Sequence, residues 1–223
     1  MAFTRTKALI SGGTVLLLCL VGGVLHALGL PPFEGKKGEI KASEVCGTLG
    51  LSSSSAAALR RVLPDKSSYA FDDAVTDPRR DDKDSSYFAS CFVHGDDELL
   101  VAATAKLAEY DDGGDWRKDV VATNKPVSAV KPFGAGDQAI ASDRVAAIYI
   151  PCVARASGPH LSVVVQLQRP GSADRDQLRE GLITLARNTA LHAHRNAKCD
   201  APSKVNTVAF TSVGGLRARV RRT

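Results

Sequence analysis

The stretch "DRVAAIYIPCVARASGPHLSVVVQLQ", residues 143–168, decides the fold class of this chain. Two runs rich in Val and Ile flank a short segment that contains Gly158, and this pattern is typical of a β-hairpin. A similar unit, "SSYFASCFV" followed by "HGDDE" and "LLVAATAKLAEY", covers residues 85–110. Because strands and helices rarely alternate along the chain, the sequence predicts an antiparallel sheet.

A long amphipathic helix is predicted after the second hairpin, in residues 172–196, with Ser172 as its N-cap. The apolar residues of this segment share one face of a helix: Leu178, Leu182, Leu185, Ala186, Thr189 and Ala193. This face is expected to lie on the sheet.

A short helix is predicted near the start of the domain, in "SSSSAAALRRVLP", residues 52–64. Ser54 or Ser55 caps it, and Pro64 ends it. The predicted fold is therefore α+β: an antiparallel sheet packed by a short N-terminal and a long C-terminal helix, with one N-terminal transmembrane helix. Residues 64–84 carry charges of both signs without an apolar period, so we expect an exposed loop there. Residues 111–116 and 124–139 are turn-rich.

The transmembrane prediction rests on residues 8–30, which contain no charged side chain. A helix of this length spans roughly 35 Å, enough to cross a bilayer core. We favour a retained signal anchor over a cleaved signal peptide, because the stretch is long and lacks a good cleavage site. The expected organisation is a cytoplasmic tail (1–7), the anchor (8–30), a polar linker (31–44), an extracytoplasmic α+β domain (45–213) and a basic segment (214–223).

Four single cysteines follow the anchor: Cys46, Cys91, Cys152 and Cys199. An even number without a C-x-x-C pair indicates disulfides in an oxidising compartment. Three pairings are possible, and we favour Cys46–Cys91 with Cys152–Cys199, which close loops of about 46 to 48 residues. The alternative is a cytoplasmic domain with four buried thiols.

The net charge of +5 comes from the ends of the chain. Six of the 29 basic residues lie there, and the remaining 23 face 24 acidic ones, which weakens a nucleic-acid interpretation. At the C-terminus, Gly214 and Gly215 fit a hairpin turn as well as the start of a basic tail. The arginines of this segment are candidates for binding anionic wall polymer or membrane headgroups: Arg217, Arg219, Arg221 and Arg222.

No catalytic, cofactor-binding or metal-binding residue is predicted. His192, His194 and Cys199 have ligand chemistry, but side chains two residues apart on a helix point about 200° apart. The acidic loops lack EF-hand spacing, and no nucleophile elbow, zincin motif or P-loop is present. Trp116, in an expected turn, either marks a binding surface or packs on the domain edge.

The order of "VCGTLG", "YFASCFV", "FGAGDQA" and a long Leu/Ala helix, over residues 43–198, resembles small anchored or lipid-linked envelope domains of actinobacteria. These include domains of unknown function and the sensor domains of some receptor kinases. The resemblance implies an α+β domain with two disulfides and a cleft for a ligand, and it supplies no catalytic residues.

We therefore expect a membrane-anchored extracytoplasmic domain that binds or senses an envelope ligand or a membrane-protein partner, without catalysis, cofactor or nucleic acid. One alternative is an anchored cell-wall hydrolase. Another is an electrostatic binder of anionic envelope polymer through the C-terminal arginines.

Overall fold

The computed structural model describes residues 37–50, 52–79, 86–110, 112–124, 128–154 and 158–205. Residues 39–223 belong to one compact unit and residues 1–38 to another, of which only residues 37 and 38 are described. Within the described ranges, no helix is long and apolar enough to cross a membrane. The predicted anchor, residues 8–30, lies outside these ranges, and so does the basic segment, residues 214–223.

The described residues of the larger unit form one antiparallel sheet of seven strands, in the order β1-β2-β3-β7-β6-β5-β4. A 3₁₀ turn at Gly47–Leu49 precedes three α-helices. The strands are β1 (Tyr69–Asp77), β2 (Phe88–Gly95), β3 (Glu98–Ala108), β4 (Lys131–Pro132), β5 (Gln138–Ala141), β6 (Val145–Pro151) and β7 (His160–Leu167). The helices are α1 (Ser52–Val62), α2 (Gly113–Asn124) and α3 (Arg175–Asn196).

This architecture confirms the predicted α+β class, both hairpins and the two predicted helices. The hairpins are β2–β3 and β6–β7, and β3 pairs with β7 to join them. Helix α3 lies on one face of the sheet, where Leu182 and Leu185 are fully buried, and α1 packs against α3. The α3 N-cap is Asp174 instead of Ser172, because the Asp174 side chain and Gln177 form a reciprocal capping box. Ser55 lies inside α1, where its hydroxyl donates to the Leu49 carbonyl.

Residues 64–84, predicted to be an exposed loop, contain a strand, so this prediction was wrong, and the two stretches predicted to be turn-rich contain some regular structure. Residues 64–84 include β1, an edge strand whose last six residues are exposed and therefore show no apolar alternation. Residues 111–116 include the start of α2. The range 124–139 includes the short strand β4 and the first two residues of β5, and most of its described residues are irregular.

Two disulfides close the domain in the pairing that the sequence analysis favoured. The Cα atoms are 6.1 Å apart in Cys46–Cys91 and 4.4 Å apart in Cys152–Cys199. Beside the first bond, the Asp73 carboxylate accepts hydrogen bonds from the backbone N–H groups of Gly47 (2.7 Å) and Thr48 (3.3 Å). The 3₁₀ turn is thus tied to β2 covalently and to β1 through a charged acceptor.

Candidate functional site

The second face of the sheet carries α2, and Trp116 holds the helix there. The indole is fully buried, and its Nε1 donates a hydrogen bond to Ser162 Oγ on β7 at 2.8 Å. The indole also stacks on the Tyr149 ring of β6, with 5.2 Å between the centroids. Strand β6 is buried along almost its whole length because α3 covers one face and α2 the other.

Trp116 was placed in a turn by the sequence analysis because two glycines and several aspartates surround it. In the structure Asp112 caps α2, since its side chain accepts from the Asp115 N–H at 2.8 Å. The signal that identifies this helix is an aspartate followed three residues later by another acidic residue in the first turn. Of the two alternatives left open for Trp116, the structure favours packing over an exposed binding surface.

Two further rings, those of Tyr110 and His160, extend this packing into an aromatic stack, which we define as Tyr110, Trp116, Tyr149 and His160. The Tyr149 ring is parallel to the His160 imidazole at 4.3 Å and meets the Tyr110 ring edge-on at 5.9 Å. Burial, together with the hydrogen bond to Asp119, raises the pKa of Tyr110 to about 12. Burial also raises the pKa of Tyr149. Both phenols are therefore protonated at neutral pH and do not act as bases.

His160 lies at one end of the aromatic stack in a fixed position. Its Nε2 lies 3.2 Å from Asp137 Oδ2, and its Nδ1 lies 3.1 Å from the Gly158 carbonyl. Lys204 Nζ donates to the other oxygen of Asp137 at 2.7 Å. Because both ring nitrogens are engaged, the imidazole holds the neighbouring loops together and does not offer a free general base.

The outward side of α2 forms a shallow groove of about 640 Å³, which we call the α2 groove. Trp116 and Val120 face the sheet, and Val121 and Val130 are partly buried against the same cluster. Gly114, Lys118 and Ala122 lie on the opposite face of the helix. Val121, Ala122 and Val130 supply apolar side chains, and Arg117 and Lys118 supply positive charge. The lining residues are Gly114, Arg117, Lys118, Val121, Ala122 and Val130.

The charged groups of the α2 groove are exposed. Lys118 Nζ pairs with Asp115 Oδ1 at 2.8 Å, and this hydrogen bond raises the pKa of Lys118. Because the ammonium is 81% exposed, its ion pair contributes little stability and is easily exchanged for another anion. Arg117 is exposed one residue earlier. A guanidinium binds phosphate or carboxylate through two parallel hydrogen bonds, and an ammonium binds the same anions as a compact point charge.

A second concavity, of about 480 Å³, lies between the end of α1 and the start of α3. Arg60 and Arg61 are among its lining residues. Arg60 Nη1 already donates to the Ile40 carbonyl at 2.6 Å, so this arginine ties the chain that enters the domain to α1. Gly171 packs so closely on Leu63 that a Cβ added to Gly171 would lie 2.4 Å from the Leu63 carbonyl oxygen. These contacts hold neighbouring segments of the domain together, so we interpret this concavity as a packing interface.

The histidines considered as metal ligands are not brought together. His192 Nε2 contacts the Asn196 amide at 2.5 Å, and His194 Nε2 contacts the Ala201 carbonyl at 2.8 Å. Burial lowers the pKa of both histidines. Cys199 is held in its disulfide. No group of three potential metal ligands occurs among the residues that the structure describes.

The sequence analysis missed the α2 groove because it predicted turns at the start of this helix, in residues 111–116, and no helix after them. The C-terminal arginines that it selected, Arg217, Arg219, Arg221 and Arg222, lie outside the described residues. Comparison of the chain with protein-family models, with curated proteins and with solved structures finds no match.

Proposed function

We propose that this chain is a membrane-anchored extracytoplasmic domain that binds an anionic, partly apolar ligand of the cell envelope in the α2 groove. The observation that carries the proposal is the groove itself, which combines an apolar lining with two exposed cations. Its volume of about 640 Å³ falls in the range of small-molecule sites, about 300–1,000 Å³.

The proposed compartment is supported by the covalent structure of the domain. Two disulfides close it, and structural disulfides persist outside the cytoplasm. The charge-free stretch at residues 8–30 is long enough for a bilayer span and precedes the domain, so it is the proposed anchor.

The chemistry of the groove defines the ligand class as an anionic amphiphile, and we commit to an anionic membrane lipid. Arg117 and Lys118 match a phosphate headgroup, whereas Val121, Ala122 and Val130 match the first carbons of an acyl chain. Burying these carbons against the valines contributes about 25 cal/mol for each Å² of apolar surface removed from water.

The same lining favours binding over catalysis. The titratable side chains among the lining residues are Arg117 and Lys118, and the raised pKa of Lys118 keeps its ammonium protonated at neutral pH. The groove therefore supplies neither a carboxylate pair nor an activated nucleophile of the kind that a hydrolase needs. An anchored cell-wall hydrolase remains the competing function.

The test uses the full chain in nanodiscs of zwitterionic lipid, with empty nanodiscs as the blank. The anionic probe is hexyl phosphate, and the matched zwitterionic probe is hexyl phosphocholine. Arg117→Gln is expected to weaken hexyl phosphate binding about 10- to 150-fold, because a charge-assisted hydrogen bond contributes about 1.5–3 kcal/mol. Val121→Asp is expected to abolish the binding.

Arg175→Gln is the matched control, because this arginine is 85% exposed and lies at the start of α3. Equal binding of both probes, or unchanged binding in Arg117→Gln, would refute the proposed site. Loss of binding only on deletion of residues 214–223 would favour the C-terminal arginines. Release of soluble fragments from purified cell wall would favour the hydrolase.

A further inference from the structure

The two sulfurs of the Cys152–Cys199 disulfide have different environments. Cys152, directly after β6, is fully buried. Cys199 follows α3 and is only partly buried. Both sulfurs of the other disulfide belong to buried residues, since Cys46 is 4% and Cys91 0% exposed. An incoming thiol therefore has its best access to Cys199.

A buried arginine lies against the inner sulfur. Arg79 follows β1 and is only 4% exposed. Its Nη1 lies 3.4 Å from Cys152 Sγ and donates to the Ala197 carbonyl at 3.0 Å. The carbonyl fixes the guanidinium at the sulfur, and positive charge beside a cysteine stabilises its thiolate form. Cys152 is thus the better leaving group of the pair, because the adjacent guanidinium stabilises the thiolate that forms as the bond breaks.

We infer that Cys199 is a site of thiol–disulfide exchange with low-molecular-weight thiols. The thiolate of the small thiol, whose proton passes to water, attacks Cys199 Sγ. A new S–S bond forms there while the Cys152–Cys199 bond breaks, and its electron pair goes to Cys152 Sγ beside Arg79. A second thiolate then attacks the small-molecule sulfur of the mixed disulfide. This step releases Cys199 and the oxidised small molecule, so the protein disulfide is reduced by two electrons.

Opening this bond removes the covalent tie between the end of β6 and the chain that leaves α3. Two hydrogen bonds to the Cys152 carbonyl remain, from the backbone N–H groups of Asp200 at 3.0 Å and Ala201 at 3.4 Å. The exchange therefore loosens one end of the domain locally, while the Cys46–Cys91 bond keeps the 3₁₀ turn attached to β2.

The experiment treats the full chain with reduced glutathione, stops the reaction with excess iodoacetamide at mildly alkaline pH, and maps the products by peptide mass spectrometry. The expected early product carries glutathione on Cys199 and a carbamidomethyl group on Cys152. The Cys46–Cys91 bond serves as an internal control and is expected to remain intact. Glutathione found mainly on Cys152, or earlier opening of Cys46–Cys91, would overturn the inference.

Variants of Arg79 test the role of the guanidinium. Arg79→Gln is expected to slow opening of Cys152–Cys199 about tenfold, because the leaving thiolate loses the positive charge beside it. Arg79→Lys, which keeps the charge, is expected to retain most of the rate. Opening of Arg79→Gln at the unaltered rate would contradict the role. If this variant unfolds, both disulfides open together, and the adduct position in the unsubstituted protein still decides the inference.

Discussion

The hydrogen bond between Trp116 and Ser162 is expected to attach α2 to the sheet, and a double-mutant cycle tests this. Trp116→Phe keeps a stacked ring on Tyr149 but removes the Nε1 donor. Ser162→Ala removes the acceptor, and both positions are buried, at 0% and 3% exposure. A buried polar group that loses its partner costs about 1–3 kcal/mol. Each single variant should therefore lower the free energy of unfolding by about that amount, with a further loss in Trp116→Phe because the phenyl ring is smaller.

The double variant is expected to lose less than the sum of the two single losses, because it leaves neither partner unsatisfied. We expect a coupling free energy of about 1–2 kcal/mol. The assay is urea unfolding of the full chain in nanodiscs, followed by far-ultraviolet circular dichroism. Trp116 is the only tryptophan of the chain, so its fluorescence follows α2 directly in Ser162→Ala.

Ser90→Ala is the matched control, since Ser90 is another buried serine, at 4% exposure, on β2. The cycle of Trp116→Phe with Ser90→Ala should be additive within about 0.5 kcal/mol. Coupling with Ser162 that is no larger than this control would refute the proposed anchoring bond. Trp116→Ala is expected to cost about 3–5 kcal/mol and to remove binding in the α2 groove as well.

Three further predictions concern other parts of the domain. Replacing Cys46 and Cys91 together by serine should lower the free energy of unfolding by about 4 kcal/mol on the chain-entropy model, measured by urea unfolding, and an unchanged midpoint would contradict it. Burial lowers the pKa of His194 in the folded state, so its stabilising contribution is complete above about pH 6.5 and is lost as the pH falls. Between pH 7 and 5, the melting temperature of His194→Gln should therefore fall less than that of the unsubstituted protein. Equal falls in the two proteins would contradict this prediction. In Gly181→Ala the new Cβ would lie 2.3 Å from Val62 Cγ1. The overpacking costs about 1–3 kcal/mol, which should exceed the gain in helix propensity of about 1 kcal/mol. The melting temperature should therefore fall, and the additional substitution Val62→Ala should restore it.

The elements that the sequence predicted correctly are those whose burial is periodic. Helix α3 buries Leu178, Leu182 and Leu185 at a helical spacing, so the pattern is present in the chain before it folds. Strands β6 and β7 are apolar runs on either side of a turn, and each pairs with its sequence neighbour. The favoured cysteine pairing, which joins cysteines that are consecutive in the chain, also agrees with the structure.

The elements that the sequence did not predict bury too little to leave such a pattern. Strand β1 is held at the edge of the sheet by backbone hydrogen bonds to β2. Backbone pairing of this kind does not require apolar side chains, so it leaves no alternating pattern in the sequence. Helix α2 fully or nearly buries Trp116 and Val120 alone, while its glycines and aspartates are also typical of a turn.

The sequence by itself determined the α+β class, the two hairpins and the long helix, because local periodicity encodes which face of each element meets the core. Only the tertiary structure decided where the chemistry lies. The α2 groove needs Val130 beside a helix that ends at Asn124, and the contact at Cys152 comes from Arg79, 73 residues earlier in the chain. Such sites depend on distances between elements, which no local spacing specifies.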